Sequence, residues 1–350
     1  MILTEGHFDL HGAKTAIGVI RYGRDHIIAI VDSTMAGRNL REFLPAFDIP
    51  FVATLGETLG GPIPPNGLLI GIAPTGGRLP IAWRSVILDA IAAGLDIHSG
   101  LHQFLGDDPV FAEAASAAGT RLIDYRRSPD RMETTVGRRH RPGSRVILTV
   151  GTDCAIGKMS VALEFVAAAR RDGASAVMVP TGQTGMMIEG WGVAIDRVIS
   201  DFVQGTAEWL VEQAEERGDW IIVEGQGSLD HPAYSSVTLG LMHGTTPQAM
   251  VMVHKAGLVE HDFDHLPDRS FPIAKLPGFI RLHEQVSGLV APSTVVAVAL
   301  NTSLIADEGE ARRVIAETAT ETGLPCDDPY RFGPGPLWAA IQERVSALVP

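Results

Sequence analysis

The residues best equipped for chemistry lie in one run, VILTVGTDCAIGKMSVALEF. In it an apolar stretch ends at Val150, the loop Gly151–Gly157 follows, and Lys158 opens an amphipathic segment. Strand, glycine loop and helix in that order grip phosphate. The glycines let backbone N–H groups converge on phosphate oxygens, the helix N-terminus adds partial positive charge, and the lysine bridges terminal phosphates. Two features depart from the usual pattern. The spacing is G-x5-G-K, one residue longer than G-x4-G-K, and Met159 stands where a Ser or Thr normally holds Mg²⁺. Ser160 is one step further on, about 100° round the helix. The run predicts a phosphate grip by Gly151, Thr152, Asp153, Gly157, Lys158, Met159 and Ser160, and weakens the case for Mg²⁺-dependent phosphoryl transfer.

Other candidates cluster at the ends of predicted strands. In IIVEGQGSLDHPAY, Glu224 ends a strand and is suited to accept a proton or hold a metal through water; capping a loop or pairing with Lys158 is the plainer alternative. Gly225 and Gly227 would let a substrate approach the backbone, with Gln226 between them. His231 is the leading general-base candidate because imidazole titrates near neutrality. In VPTGQTGMMIEGWGVAID, the side chains of Thr181, Gln183 and Thr184 suit a carboxylate or amide substrate, and a plain crossover loop explains them equally well. His254 and Lys255 close the strand AMVMVHK as second choices. His243, His261 and His265 are more simply packed or exposed. The pair His261-x3-His265 would ligate metal only on a helix, and Pro267 with nearby acids predicts a solvated loop, so no metal site is expected. Asn301 ends the strand VVAVAL, placed either to read a nucleotide base or to hold a turn. Arg78 and Arg84, after Gly76 and Gly77, offer guanidinium forks for a carboxylate or phosphate. No G-x-G-x-x-G occurs, so no dinucleotide site is inferred.

The elements that must position these residues alternate. TAIGVIRY, HIIAIVD and LLIGIA read as strands, AWRSVILDAIAAG and PVFAEAASAAG as helices, and TRLIDY as a strand, giving a small α/β unit over residues 1–125. The Arg-rich segment Arg126–Arg145 lacks apolar periodicity and reads as a solvated linker, with anion screening as the alternative. From residue 146 to 350 strands and helices alternate again, which implies a mostly parallel sheet whose ligands sit at the carboxyl ends of its strands.

Composition limits the partners. With 28 basic and 41 acidic residues the formal charge is −13, which disfavours nucleic acid, and 45% hydrophobic residues exclude disorder as the main state. No apolar run nears a membrane span and no basic leader precedes one, so a cytoplasmic protein with a small-molecule substrate and no membrane partner is expected. Cys154 and Cys326 are too few for a disulfide framework. A homo-oligomer is the default for such an enzyme.

The loop GTDCAIGK resembles that of dethiobiotin synthetase and its P-loop relatives, which have a similar VEG loop. GRNLREF, IAPTGGRLP, GTDCAIGKMS, TGQTG, VEGQGSLDHP and ALNTS together resemble the D-glutamate N-acetyltransferase family over nearly the whole chain. That family was long catalogued as a domain of unknown function. The resemblance implies an α/β fold with an N-terminal Rossmann-like domain and a C-terminal P-loop NTPase-like domain. It also implies transfer of acetyl from acetyl-CoA to D-glutamate, the product passing to a partner epimerase. CoA phosphates would then occupy the loop without any phosphoanhydride being cleaved. His231 or Glu224 would take the amine proton, the Gly225–Gly227 N–H groups would stabilise the oxyanion, and Arg78 and Arg84 would clamp the two carboxylates. The rival is a ligase or kinase using ATP or GTP with Mg²⁺, marked by ADP release. A third reading is a nucleotide-binding regulatory or metallochaperone-like module.

Overall fold

The computed structural model describes residues 1–9, 12–72, 77–130, 133–261 and 269–348. The chain forms two compact units, Met1–Ser128 with Gln183–Ala194, and Pro129–Gly182 with Ile195–Pro350. No helix among the described residues is long and apolar enough to cross a membrane.

In the first unit, β1 (Ile2–Leu3), β2 (Ile30–Val31), β3 (Phe51–Val52), β4 (Gly67–Ile70), β5 (Asp96–Ser99) and β6 (Leu122–Asp124) pair in parallel in the order β3-β2-β1-β4-β5-β6. The helices α1 (Lys14–Tyr22), α2 (Gly56–Leu59), α3 (Arg84–Ala92) and α4 (Pro109–Ala118) accompany them. The order reverses at β1, the crevice position where open α/β sheets receive ligands. TAIGVIRY is not a strand: it forms most of α1. Ala16, Val19 and Ile20 fall on one face at helical spacing, and Ala16 and Ile20 pack into the core with Ile2, Ile30 and Phe51. The central slot that a strand there would fill belongs to Ile2–Leu3, too short to show a period. GRNLREF forms a tight 3-10 turn over Leu40–Glu42, closed by a reciprocal cap between Asn39 and Glu42.

In the second unit, β7 (Arg145–Gly151) leads through the glycine loop into α5 (Lys158–Arg171), then β8 (Ala176–Val179). The next helix, α6 (Gln183–Glu189), packs with the first unit, where the Thr184 hydroxyl lies 3.1 Å from that of Thr15 on α1. The chain continues with α7 (Val203–Glu215), β9 (Trp220–Val223), α8 (Ser235–Thr245), β10 (Ala249–Lys255), α9 (Leu276–Ser287), β11 (Thr294–Asn301), α10 (Glu308–Thr322), β12 (Cys326–Asp327) and α11 (Gly335–Leu348). The sheet is parallel in the order β12-β11-β10-β7-β9-β8. Its inner strands are buried almost end to end, which is why they read as unbroken apolar runs.

The arginine-rich segment is largely exposed over 133–143, as expected of a solvated stretch, but it is not loose. From Pro129 onward it belongs to the second unit and is strapped to α7: the Val136 and Arg138 N–H groups donate to Glu208, and Arg138 pairs with the buried Glu215. The Arg141 N–H also donates to Glu215, at 2.8 Å, and its guanidinium to Asp219, at 2.6 Å. These arginines spend their charge on the protein's own acids.

Candidate functional site

The glycine loop joins the carboxyl end of β7 to α5. Gly151 sits where a Cβ would meet the Ile156 side chain at 2.9 Å and the Val253 carbonyl at 3.1 Å, and Gly157 turns the chain at φ +113°. Ala155 adopts φ +53°, a conformation that costs a non-glycine residue about 1–3 kcal/mol and is concentrated at ligand clamps. Among the described residues no side chain caps α5, the arrangement in which a helix N-terminus can receive an anion. The buried Lys158 folds back into the loop and donates to the Asp153 carbonyl at 2.5 Å. Met159 and Ser160 follow, half-buried. Asn301 holds the loop from the side, donating its amide to the Ile156 carbonyl at 2.9 Å. Its register partner Lys255 and, one residue earlier, His254 close the neighbouring strand. His254 shares a 2.8 Å hydrogen bond with the Thr152 hydroxyl, and burial pushes its pKa down to about 4.

Beyond β9, Glu224 is buried and its Oε2 accepts the Thr181 and Gly182 N–H groups at 3.0 and 3.1 Å. The Thr181 hydroxyl donates to the Glu224 carbonyl at 2.7 Å, and Gln226 donates to that hydroxyl at 3.1 Å. Gly225 is required for packing rather than for substrate approach, because a Cβ there would fall 1.5 Å from the Thr149 carbonyl oxygen. Its N–H already donates to the Thr149 hydroxyl at 2.9 Å, so it is not an oxyanion donor. Gly227, at φ +65°, is likewise hemmed in by the Tyr234 carbonyl.

His231 and Asp153 meet in a sealed cluster, each side chain 1% exposed, with His231 Nε2 3.8 Å from Asp153 Oδ1. His261 joins them and so departs from the expectation of a solvated position: its side chain is also 1% exposed, although its described neighbours Val259, Glu260, Arg269 and Ser270 are exposed. Its Nδ1 lies 3.2 Å from Asp153 Oδ1 and its Nε2 3.2 Å from Asp230 Oδ1. The reason is a bridge that sequence spacing does not reveal, in which the His261 N–H donates to the Phe271 carbonyl and the Ile273 N–H to that of Val259. His265 lies outside the described residues. One ligand-capable atom from each of Asp153, His231 and His261 lies within 4.8 Å of the others. Burial pushes the His231 pKa below its ordinary value, against the raising pull of Asp153. Tyr234 stacks on the His231 ring at 4.6 Å.

Residues 133–338 match the family described as a domain of unknown function, DUF1611_C, P-loop domain, and residues 33–128 match DUF1611_N, Rossmann-like domain. The chain belongs to the DUF1611 family. Two relatives named D-glutamate N-acetyltransferase are similar to it. One, from Tritonibacter scottomollicae, is 34% identical over 95% of each chain; the other, from a Pseudoalteromonas species, is 38% identical over 76% of this chain and 78% of its own. A crystal structure of a DUF1611 family protein from Anabaena variabilis ATCC 29413 is 38% identical, with a TM-score of 0.89 over 98% of each chain. The units are thus the Rossmann-like and P-loop domains of the family, each a parallel α/β sheet.

The first-unit candidates behave differently in this DUF1611 fold. Arg84 donates twice to Asp108, at 2.5 and 3.1 Å, and covers the Phe111 ring at 4.4 Å, so its fork is already committed. Arg78 is exposed beside residues 73–76, and these, including Gly76, lie outside the described residues. TGQTG is split: Thr181 stays with the P-loop unit, whereas Gln183, accepting from Arg126 at 2.7 Å, and Thr184 begin α6 rather than a crossover loop.

Proposed function

We propose that this chain transfers the acetyl group of acetyl-CoA to the amine of D-glutamate, a step of D-amino-acid metabolism. The observation that carries this reading is the phosphate loop in a chain so similar to two relatives of that name. It keeps an uncapped helix α5 and a buried Lys158 but has Met159 where phosphoryl transfer wants a hydroxyl. Such a loop suits a donor whose phosphates are handles rather than reactants.

In the reaction the amine nitrogen attacks the thioester carbonyl, a C–N bond forms, the C–S bond breaks and CoA leaves as its thiol. The helix N-terminus, Lys158 and Ser160 bind cofactor phosphate, with Asn301 and Thr152 keeping the loop in shape. An α-ammonium must first lose a proton, and we assign that proton to Glu224, whose carboxylate is oriented by two backbone N–H donors. His231 is withdrawn from the base role because its Nε2 points into the sealed cluster at Asp153. Thr181 and Gln226, beside Glu224, are the proposed contacts to the acceptor, and Lys255 is a second cation at the sheet edge.

The test is thiol release from acetyl-CoA by the purified chain with D-glutamate, L-glutamate or D-aspartate, without nucleotide. Free thiol that forms with D-glutamate and needs no ATP supports the reading. No thiol with any acceptor, and ADP or GDP formed in the presence of Mg²⁺, would give the site to the ligase or kinase class.

A further inference from the structure

We infer that Asp153, His231 and His261 bind one divalent transition-metal ion behind the phosphate loop, an inference independent of which group the enzyme transfers. Two imidazoles and a carboxylate form a donor set that first-row ions such as Zn²⁺, Co²⁺ or Mn²⁺ accept and that Mg²⁺ does not favour. In a tetrahedral zinc site with bonds of 2.0–2.2 Å, ligand atoms are about 3.3 Å apart. Here two of the separations are 3.2 and 3.8 Å, and all three atoms lie within 4.8 Å of one another. Small side-chain shifts therefore complete a site of three protein ligands.

The state of His261 points to an ion rather than to a set of hydrogen bonds. Among the described residues neither of its ring nitrogens makes a hydrogen bond of proper geometry, although both are buried and each has a carboxylate oxygen 3.2 Å away. A neutral imidazole carries one N–H, so two flanking carboxylates leave one lone pair facing an anion. An ion between Nδ1 and Asp153 replaces that repulsion with two bonds and leaves Nε2–H to donate to Asp230. The result is the carboxylate–histidine–metal relay that orients metal ligands. Asp230 is held for this role, accepting from the Ser228 hydroxyl at 2.7 Å and the Ala274 N–H at 3.1 Å.

His231 is the most costly of the three ligands to recruit. Its Nδ1 accepts the Ala233 N–H at 3.1 Å, so without an ion the ring proton sits on Nε2. Binding an ion at Nε2 moves that proton to Nδ1 and opens the Ala233 contact. Loss of His261 is therefore expected to weaken binding more than loss of His231.

The purified full chain, stripped with a chelator, is titrated with Co²⁺ by visible absorption, and with Zn²⁺ and Mg²⁺ by calorimetry. One equivalent of Co²⁺ or Zn²⁺ and no saturable Mg²⁺ uptake are expected. Asp153→Asn and His261→Ala, each checked for fold by circular dichroism, should lose at least about tenfold in affinity, and His231→Ala less than His261→Ala. His243→Ala, whose ring bonds the Val286 carbonyl elsewhere, should bind like the parent. Absence of Co²⁺ and Zn²⁺ uptake, or full affinity in folded Asp153→Asn and His261→Ala, overturns the site. X-ray absorption of the zinc-loaded parent chain decides the matter without variants. Two imidazoles and oxygen around the ion support the inference; sulfur, or oxygen alone, overturns it.

Discussion

The two units share an architecture and differ in what stands at the ends of their strands. In the first, the buried Asp32 at the end of β2 is occupied by its own chain, accepting from the Thr4 hydroxyl, the Gly6 N–H, and the N–H and hydroxyl of Thr34 at 2.6–3.1 Å. In the second, the loop after β7 keeps a helix without a cap and a buried ammonium beside it. The first holds its strand-end acid with hydrogen bonds made within the fold, and the second presents, among the described residues, a helix end without a side-chain cap, the kind of terminus that suits an anion. The chirality and parallel pairing of an α/β sheet build the crevice, and the side chains at the strand ends decide whether it binds anything.

Acid should fall hardest on the second unit. Burial holds His254 and His283 at a pKa of about 4 against an ordinary 6.5, so the unfolded chain takes up their protons first as pH falls. Their contribution to stability is complete above pH 6.5 and is lost toward pH 4, with a slope from the two together approaching about 2.7 kcal/mol per pH unit. Hydrogen exchange at descending pH should show β10 and α9 opening before the first unit's sheet. Exchange that stays uniform across both units would show that these buried histidines do not set the second unit's response to acid.

Next in size is Gly225→Ala, which drives a methyl into the Thr149 carbonyl and should cost more than about 3 kcal/mol in urea unfolding. An unchanged midpoint would mean that the β7–β9 approach relaxes freely. Lys158→Met should lower acetyl-transfer kcat/KM about 100-fold, equivalent to about 2.7 kcal/mol, with the fold intact by circular dichroism. In the first unit, Asp32→Asn should instead cost about 2 kcal/mol of stability and leave KM for acetyl-CoA unchanged; a raised KM would show that the first crevice also serves the donor. Smallest of all, Arg84→Gln should leave KM for the amino acid within about twofold of the parent, since its guanidinium is already held by Asp108. A large rise in KM would restore the carboxylate clamp read from the sequence.

Legibility followed burial. Strands β7–β11 and helix α5 were readable because continuous apolar runs and a glycine loop signal themselves locally. The two-residue strands β1, β3 and β12 were too short to carry a period. Helix α1 hid behind its β-branched residues, whose strand propensity lost to packing. Helix α6 was masked by the polar start TGQTG, and α8, after HPAY, was not marked by any cap. The phosphate loop was visible in full. His261 was not, because nothing in its spacing shows that the chain folds it against Asp153, some hundred residues earlier.

By itself, the sequence determined the class of fold, the phosphate loop and the missing hydroxyl after Lys158, since each depends on residues adjacent in the chain. Tertiary structure decided which polar groups remain available for chemistry. It spent Arg84 on Asp108, Gly225 on Thr149 and Asn301 on the loop itself, and it gathered Asp153, His231 and His261 from three separate loops. Hydrogen bonds and ion pairs between distant segments form only where folding brings the partners together, and they leave no trace in local spacing.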